Sequence, residues 1–193
     1  MKNIITILKV VLYMALLSTS ASAALQLKSN PKDGTVEFEA IGRPSMLKIK
    51  GAGEGVSSNL QIENNALSGD IRFSLKSLKT GIALRDEHLL NKYLHVGQFA
   101  EAKLVFSRLA LPKDWSMVNP IVSQKPFKAL LNLHGVQKEI SGYYNVESAD
   151  FAANASFEIK LSDFNIEVPS YLGVQVADIV KIKVSLNKII KIN

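Results

Sequence analysis

Cysteine is absent from the 193 residues, which excludes disulfides, a thiolate nucleophile, cysteine-ligated metal and the acylated cysteine of bacterial lipoproteins. Histidine is scarce: His88, His95 and His134 are the only three, so a zinc site would need carboxylates to complete it. His88 and His95, seven residues apart, could share a helix face with Asp86 or Glu101. For such residues a capping or surface role is far commoner than metal ligation. No Gly-x-Ser-x-Gly elbow, His-Glu-x-x-His helix, phosphate-binding glycine loop or dinucleotide fingerprint is present, and nothing in the order of residues recommends a Ser-His-Asp triad. The expectation is a protein that is not an enzyme, with no metal and no cofactor.

Long apolar runs are missing too. The longest near the start, Val10 to Leu17, is too short to cross a bilayer. It follows Lys2 and Lys9 and precedes Ala21-Ser22-Ala23, the order of charge, apolar stretch and small-residue cleavage site that marks a signal peptide. Residues 1–23 are therefore expected to be removed, residues 24–193 to form a single domain, and a bacterial source would make the periplasm the destination. The leader holds two of the 23 basic residues and none of the 17 acidic ones, so the remainder carries 21 minus 17, or +4. An excess this small, spread along the chain, argues against a nucleic-acid surface and leaves contact with anionic lipid headgroups open.

What the chain does contain is alternation. Gly69, Ile71, Phe73 and Leu75 interleave with Asp70, Arg72, Ser74 and Lys76, and Val180, Ile182, Val184 and Leu186 interleave with Lys181, Lys183 and Ser185. This is the period of strands with one buried face. Similar runs at 35–42, 46–62 (with a bend expected at Gly51-Ala52-Gly53), 102–109, 126–134, 137–146 and 151–161 bring the count to eight. Eight strands with short turns predict an all-β antiparallel meander closed into a barrel, which leaves no exposed edge. One short helix interrupts it over about 84–95, with Ile82, Leu89, Leu90, Tyr93 and Leu94 on its apolar side and Gly97 placed to end it.

A barrel of eight strands is wide enough either to be filled by its own side chains or to hold one small ligand. The inward series includes Val36, Phe38, Ile71, Phe73, Phe127, Ala129, Leu131, Leu133, Tyr144, Phe157, Ile159, Val180, Ile182 and Val184. It carries no charge, so any guest is mainly hydrocarbon. The residues alone leave a filled core and a ligand tunnel equally open.

Ser77-Leu78, Thr80-Gly81, Arg85-Asp86, His88-Leu89 and Phe106-Ser107 stand in one order and spacing. Leu133-His134-Gly135-Val136 follows, then Leu161-Ser162-Asp163-Phe164-Asn165-Ile166 and Val180-Lys181-Ile182. Together these resemble the signature of the YceI-like family, with Gln137 standing where the family usually has Thr and Asn165 where it has Gly. Asn tolerates the left-handed backbone that Gly serves. The resemblance implies a lipocalin-like barrel whose elongated apolar pocket receives an amphiphilic lipid, such as a polyprenyl or quinone-type isoprenoid. Phe38, Ile71, Phe73, Phe127, Leu131, Leu133, Tyr144, Phe157, Ile159, Val180, Ile182 and Val184 would line that pocket, and Arg85, Asp86 and His88 would anchor the helix or meet the polar head. Two apolar segments, 111–125 with Trp115 and 163–177 with Tyr171, are candidate gates, and would equally serve as fixed covers, a membrane contact or a homodimer contact. The rival readings are an enzyme or metal-binding protein using Asp86, His88 and His95, and a filled barrel acting as an interaction module.

Overall fold

Wherever apolar and polar residues alternate, the chain is extended and pairs with its neighbour. The computed structural model describes residues 24–43, 47–148, 150–171 and 174–192, so the expected signal segment lies outside them. Twelve strand segments occur: β1 (Leu25–Ser29), β2 (Gly34–Arg43), β3 (Leu47–Glu54), β4 (Ser57–Glu63), β5 (Ala66–Ser74), β6 (Glu101–Ala110), β7 (Val122–Leu133), β8 (Val136–Val146), β9 (Ala153–Lys160), β10 (Ser170–Tyr171), β11 (Val174–Leu186) and β12 (Ile189–Ile192). Every ladder between them is antiparallel.

The register shows that six of these segments are halves of three bent strands. β1 and β2 pair with β12 and β11 on one side and with β4 and β3 on the other. The bends lie side by side and are bonded to one another: Asn187 N–H donates to the Asp33 carbonyl at 2.8 Å, and Gly55 and Val56 N–H donate to the Gly34 carbonyl at 3.1 and 3.3 Å. One crease therefore crosses three adjacent strands. Gly34 is required there because a Cβ would lie 2.6 Å from the Val56 carbonyl oxygen, and Gly55 takes φ +98°. Counted as continuous runs, eight strands form a closed ring, since β5 follows β4, β6 to β9 follow in order, and β9 returns to β11. This is the expected lipocalin-like barrel, with β10 added as a short flap on β11.

Several local expectations are corrected. Gly51-Ala52-Gly53 is not a bend but part of the continuous ladder of β3, where a Cβ on residue 51 would sit 2.3 Å from the Phe38 ring and one on residue 53 would sit 2.7 Å from the Phe73 ring. These glycines make room for inward rings. The helix is α1 (Ala83–Glu87) followed by a π-helical stretch, His88–Tyr93, in which Leu94 N–H reaches back to the Leu89 carbonyl. His95, at φ +45°, ends it rather than Gly97. β1 carries a short alternation that the sequence reading passed over. The two candidate gates are shorter than expected, since β7 begins at Val122, across a bulge at Gln124, and β11 at Val174. Asn165 adopts φ +55°, the left-handed backbone anticipated for it.

The barrel wall is thus dictated partly by absent side chains. At Gly142 in β8 a Cβ would lie 2.3 Å from the Ser156 carbonyl oxygen and 2.8 Å from Phe157 Cβ, atoms that cannot swing aside. Gly97 has nothing within 4 Å. Gly142→Ala is therefore expected to destabilise by about 1–3 kcal/mol through overpacking, and Gly97→Ala to stay within about 0.5 kcal/mol of wild type. Urea unfolding of the two variants checks this, and equal midpoints would contradict it.

Candidate functional site

Inside the ring the inward faces do not meet. They enclose an apolar cavity of about 530 Å³, the size of a small-molecule site. Ten of the twelve residues expected to line a pocket do line it: Phe38, Ile71, Phe73, Leu131, Leu133, Phe157, Ile159, Val180, Ile182 and Val184. The other two, Phe127 and Tyr144, line a smaller cavity of about 100 Å³ further along the axis, which shares Ile71 and Val184 with the first. Burial raises the Tyr144 hydroxyl above its ordinary pKa. Between the cavities stand three rings, with Phe127 centred 5.8 Å from Phe106 and 6.2 Å from Phe157. The barrel interior is therefore one apolar shaft narrowed by an aromatic partition.

The two ends of the shaft differ. Trp115 borders the small cavity, with Leu111 and Phe151. The large cavity reaches α1 and the segment leading through β10, where Ile166, Pro169, Ser170, Val174 and Val176 contribute to its lining. It opens to solvent there, because Leu47, Ile82 and Leu84 line it while being 53%, 54% and 53% exposed. The sequence reading missed Leu47 and Leu84, since each sits where its run begins and no full alternation frames it. The two candidate gates thus stand at opposite ends. The backbone of Tyr171 pairs with Val174 in the flap at the open end.

The polar cluster at that mouth is organised by Thr80. Arg85 Nε donates to Thr80 Oγ1 at 2.8 Å and Nη2 donates to its carbonyl at 2.9 Å. Asp86 accepts from the Thr80 backbone N–H at 2.6 Å and from the Thr80 hydroxyl. Arg85 and Asp86 are joined through Thr80, and the cluster ties α1 to the strand-end loop. Those bonds to Thr80 hold the Asp86 carboxyl below its ordinary pKa. Arg85 and His88 also line the cavity, whereas Asp86 does not.

His95 turns away from His88. Its Nδ1 lies 2.9 Å from Nε2 of buried His134, whose Nδ1 lies 3.0 Å from the Phe164 carbonyl. A carbonyl can only accept, so His134 Nδ1 carries a hydrogen. The imidazole pair thereby pins the end of the π-helical stretch to the β7–β8 turn and to the start of the β10 flap segment. Asp86, His88 and His95 are not brought together, and among the described residues no three His, Asp or Glu side chains group as metal ligands. The flap segment has a second anchor, since Asp178 accepts from Ser162 N–H at 2.8 Å and from its hydroxyl at 2.6 Å, which lowers the Asp178 pKa.

The YceI-like domain family matches this chain over residues 27–187. Among solved structures, BcnA of Burkholderia cenocepacia is 17% identical, with a TM-score of 0.63 over 84% of this chain and 99% of its own. A polyisoprenoid-binding domain from Saccharophagus degradans is 15% identical, with a TM-score of 0.59 over 83% of this chain and 95% of its own. No curated protein matches the sequence.

The mouth cluster sets an acid dependence. Asp86 and Asp178 have folded pKa values below the ordinary 3.8, so the folded state binds fewer protons than the unfolded chain. Their contribution is complete above the ordinary range and is lost as pH falls through it towards the depressed values. Asp86→Asn is expected to cost about 1–2 kcal/mol at neutral pH and to flatten the fall of melting temperature between about pH 5 and 3. A fall as steep as that of wild type would remove Asp86 from this role.

Proposed function

Because the chain belongs to the YceI-like domain family, we propose that it binds, and so carries or stores, an amphiphilic lipid of the polyisoprenoid or isoprenoid-quinone type in the barrel shaft. It catalyses no reaction and needs no cofactor, and the lipid itself is the ligand. The observation that carries this reading is the separation of chemistries along one axis: a shaft lined by apolar side chains, with Thr80, Arg85 and His88 at its open end. A chain of repeated apolar units fits the shaft, and a polar head fits the mouth. Among the described residues lining the shaft away from the mouth, the one charged residue, Lys103, is partly exposed and paired with Asp70, so no uncompensated charge faces a hydrocarbon. The S. degradans relative, described as a polyisoprenoid-binding domain, supports the ligand class.

The signal-like residues 1–23 support a periplasmic location, where such a lipid would be handled between membranes. The segment 166–171, leading into β10, borders the way in at the open end, because a lipid passing through the paired wall would expose unsatisfied backbone groups. Contact with a membrane surface or with a second copy would occur at the open end.

Two measurements test this reading. Native mass spectrometry with organic extraction, on protein purified from its own periplasm, should find a copurified isoprenoid lipid. A metal or an empty barrel would overturn the proposal in favour of the rival readings. Separately, Phe73→Asp and Ile182→Lys place a charge in the shaft and should abolish lipid retention or folding. Lys183→Glu, on the exposed face of β11, should leave both intact. Similar tolerance at all three positions would show that the shaft is not the binding site.

A further inference from the structure

The open end carries a feature that lipid binding does not require. Leu47, Ile82 and Leu84 could have been polar at the rim without interrupting the shaft, yet each is more than half exposed. They come from two separate parts of the chain, β3 and the start of α1, and converge on one opening. The same stretches of chain carry exposed cations: Arg43, next to the Gly42 that pairs with Leu47, Lys48 and Lys50 on β3, and Lys79, three residues before Ile82. Three acids oppose these four cations, and Asp178, which has Lys160 beside it, adds no net charge. Glu39 is shared by Lys48 at 3.8 Å and Lys50 at 3.3 Å, and Glu87 and Glu167 are exposed nearby in the chain. The Arg85–Asp86 pair is internally neutral. The rim is thus apolar at its centre and net positive at its edge.

We propose that this rim is a docking surface for an anionic lipid bilayer, with Leu47, Ile82 and Leu84 entering the headgroup region and Arg43 and Lys79 meeting acidic headgroups. The inference rests on the lipid-binding reading and deepens it by naming the face and the lipid class. A lipid tail leaving the shaft for water would expose its whole apolar length, whereas a mouth seated on the bilayer makes the apolar path continuous from shaft to membrane. Interfacial binding of this kind combines buried apolar area with attraction between cations and anionic headgroups. Each Lys or Arg near the surface contributes about 1 kcal/mol, or roughly a fivefold change in partition.

The test is flotation of the full mature chain with vesicles of phosphatidylcholine alone or mixed with phosphatidylglycerol. The wild type should float with the mixed vesicles only, less so as salt is raised. Arg43→Gln with Lys79→Gln should weaken flotation roughly twentyfold, and Ile82→Ser with Leu84→Ser should remove it. Both double variants change exposed side chains, so circular dichroism should show unaltered folding. Absence of flotation, equal flotation on both vesicles, or flotation indifferent to the rim variants would overturn the proposal. So would gel filtration in which the wild type runs as a dimer that Ile82→Ser with Leu84→Ser dissociates, since the rim would then bind a second copy. Extraction of copurified lipid from the same preparations separates the two readings. Rim-dependent flotation of a protein that holds no lipid would support docking and overturn the cavity reading, and lipid retained without flotation would do the reverse.

Discussion

Everything in this barrel follows from the need to close a sheet of eight strands around an interior that its own side chains do not fill. Closure satisfies every edge, but it fixes the diameter, and a ring of this size leaves space unless large residues occupy it. Here the wall contains glycines where a filled barrel would carry bulk. Gly51 and Gly53 are each overlain by an aromatic ring, so Phe38 and Phe73 lie against the wall instead of crossing the axis. The space that remains is the 530 Å³ cavity. The crease at Gly34, Gly55 and Asn187 lets three neighbouring strands bend together without losing the ladder that seals the ring.

That space is energetically expensive to leave empty. Side chains lining a void of this size lack packing partners on one side and forfeit those contacts. Water is a poor substitute in a shaft with so few polar partners. A hydrocarbon guest restores the missing contacts, so ligand binding and barrel stability are two aspects of one deficit. The Phe106, Phe127 and Phe157 rings interrupt the shaft before the small cavity, and they determine how far a tail runs without side-chain rearrangement.

Much of this was legible in the sequence, and the reason is the period of two. Once Ile71 and Phe73, or Val180, Ile182 and Val184, are assigned inward, the shaft lining is read off directly, because a strand has only two faces. The count of eight survived for the same reason, since a crease redirects a strand without ending its alternation. What was not legible depends on contacts between distant residues. Gly51 and Gly53 read as a bend from local propensity, but their role is set by rings on β2 and β5. His88 and His95 read as neighbours on one helix face, yet the π-helical stretch between them and the pairing of His95 with His134, thirty-nine residues away, separate them. Leu47 and Leu84 escaped notice because a rim residue has no alternating frame.

The mouth combines fixed and movable parts in a consistent way. Thr80 binds α1 to the barrel through Arg85 and Asp86, and the His95–His134 pair holds the other end of the same helical segment. Both ends of the helix are therefore secured to the wall, and its exposed Leu84 is presented from a rigid support. The described part of the flap segment is held at one end by His134 at Phe164 and by Asp178 at Ser162 and at the other by the pairing of Gln175 and Val176 with β2, while β10 between them contributes two paired residues. Among the described residues at the mouth, the two paired residues of β10 are held by fewer backbone bonds than the helix is held by side-chain anchors at both its ends. In the proposed lipid-binding function the helix is the fixed lip of the mouth, and the Thr80 cluster is the place for the polar head.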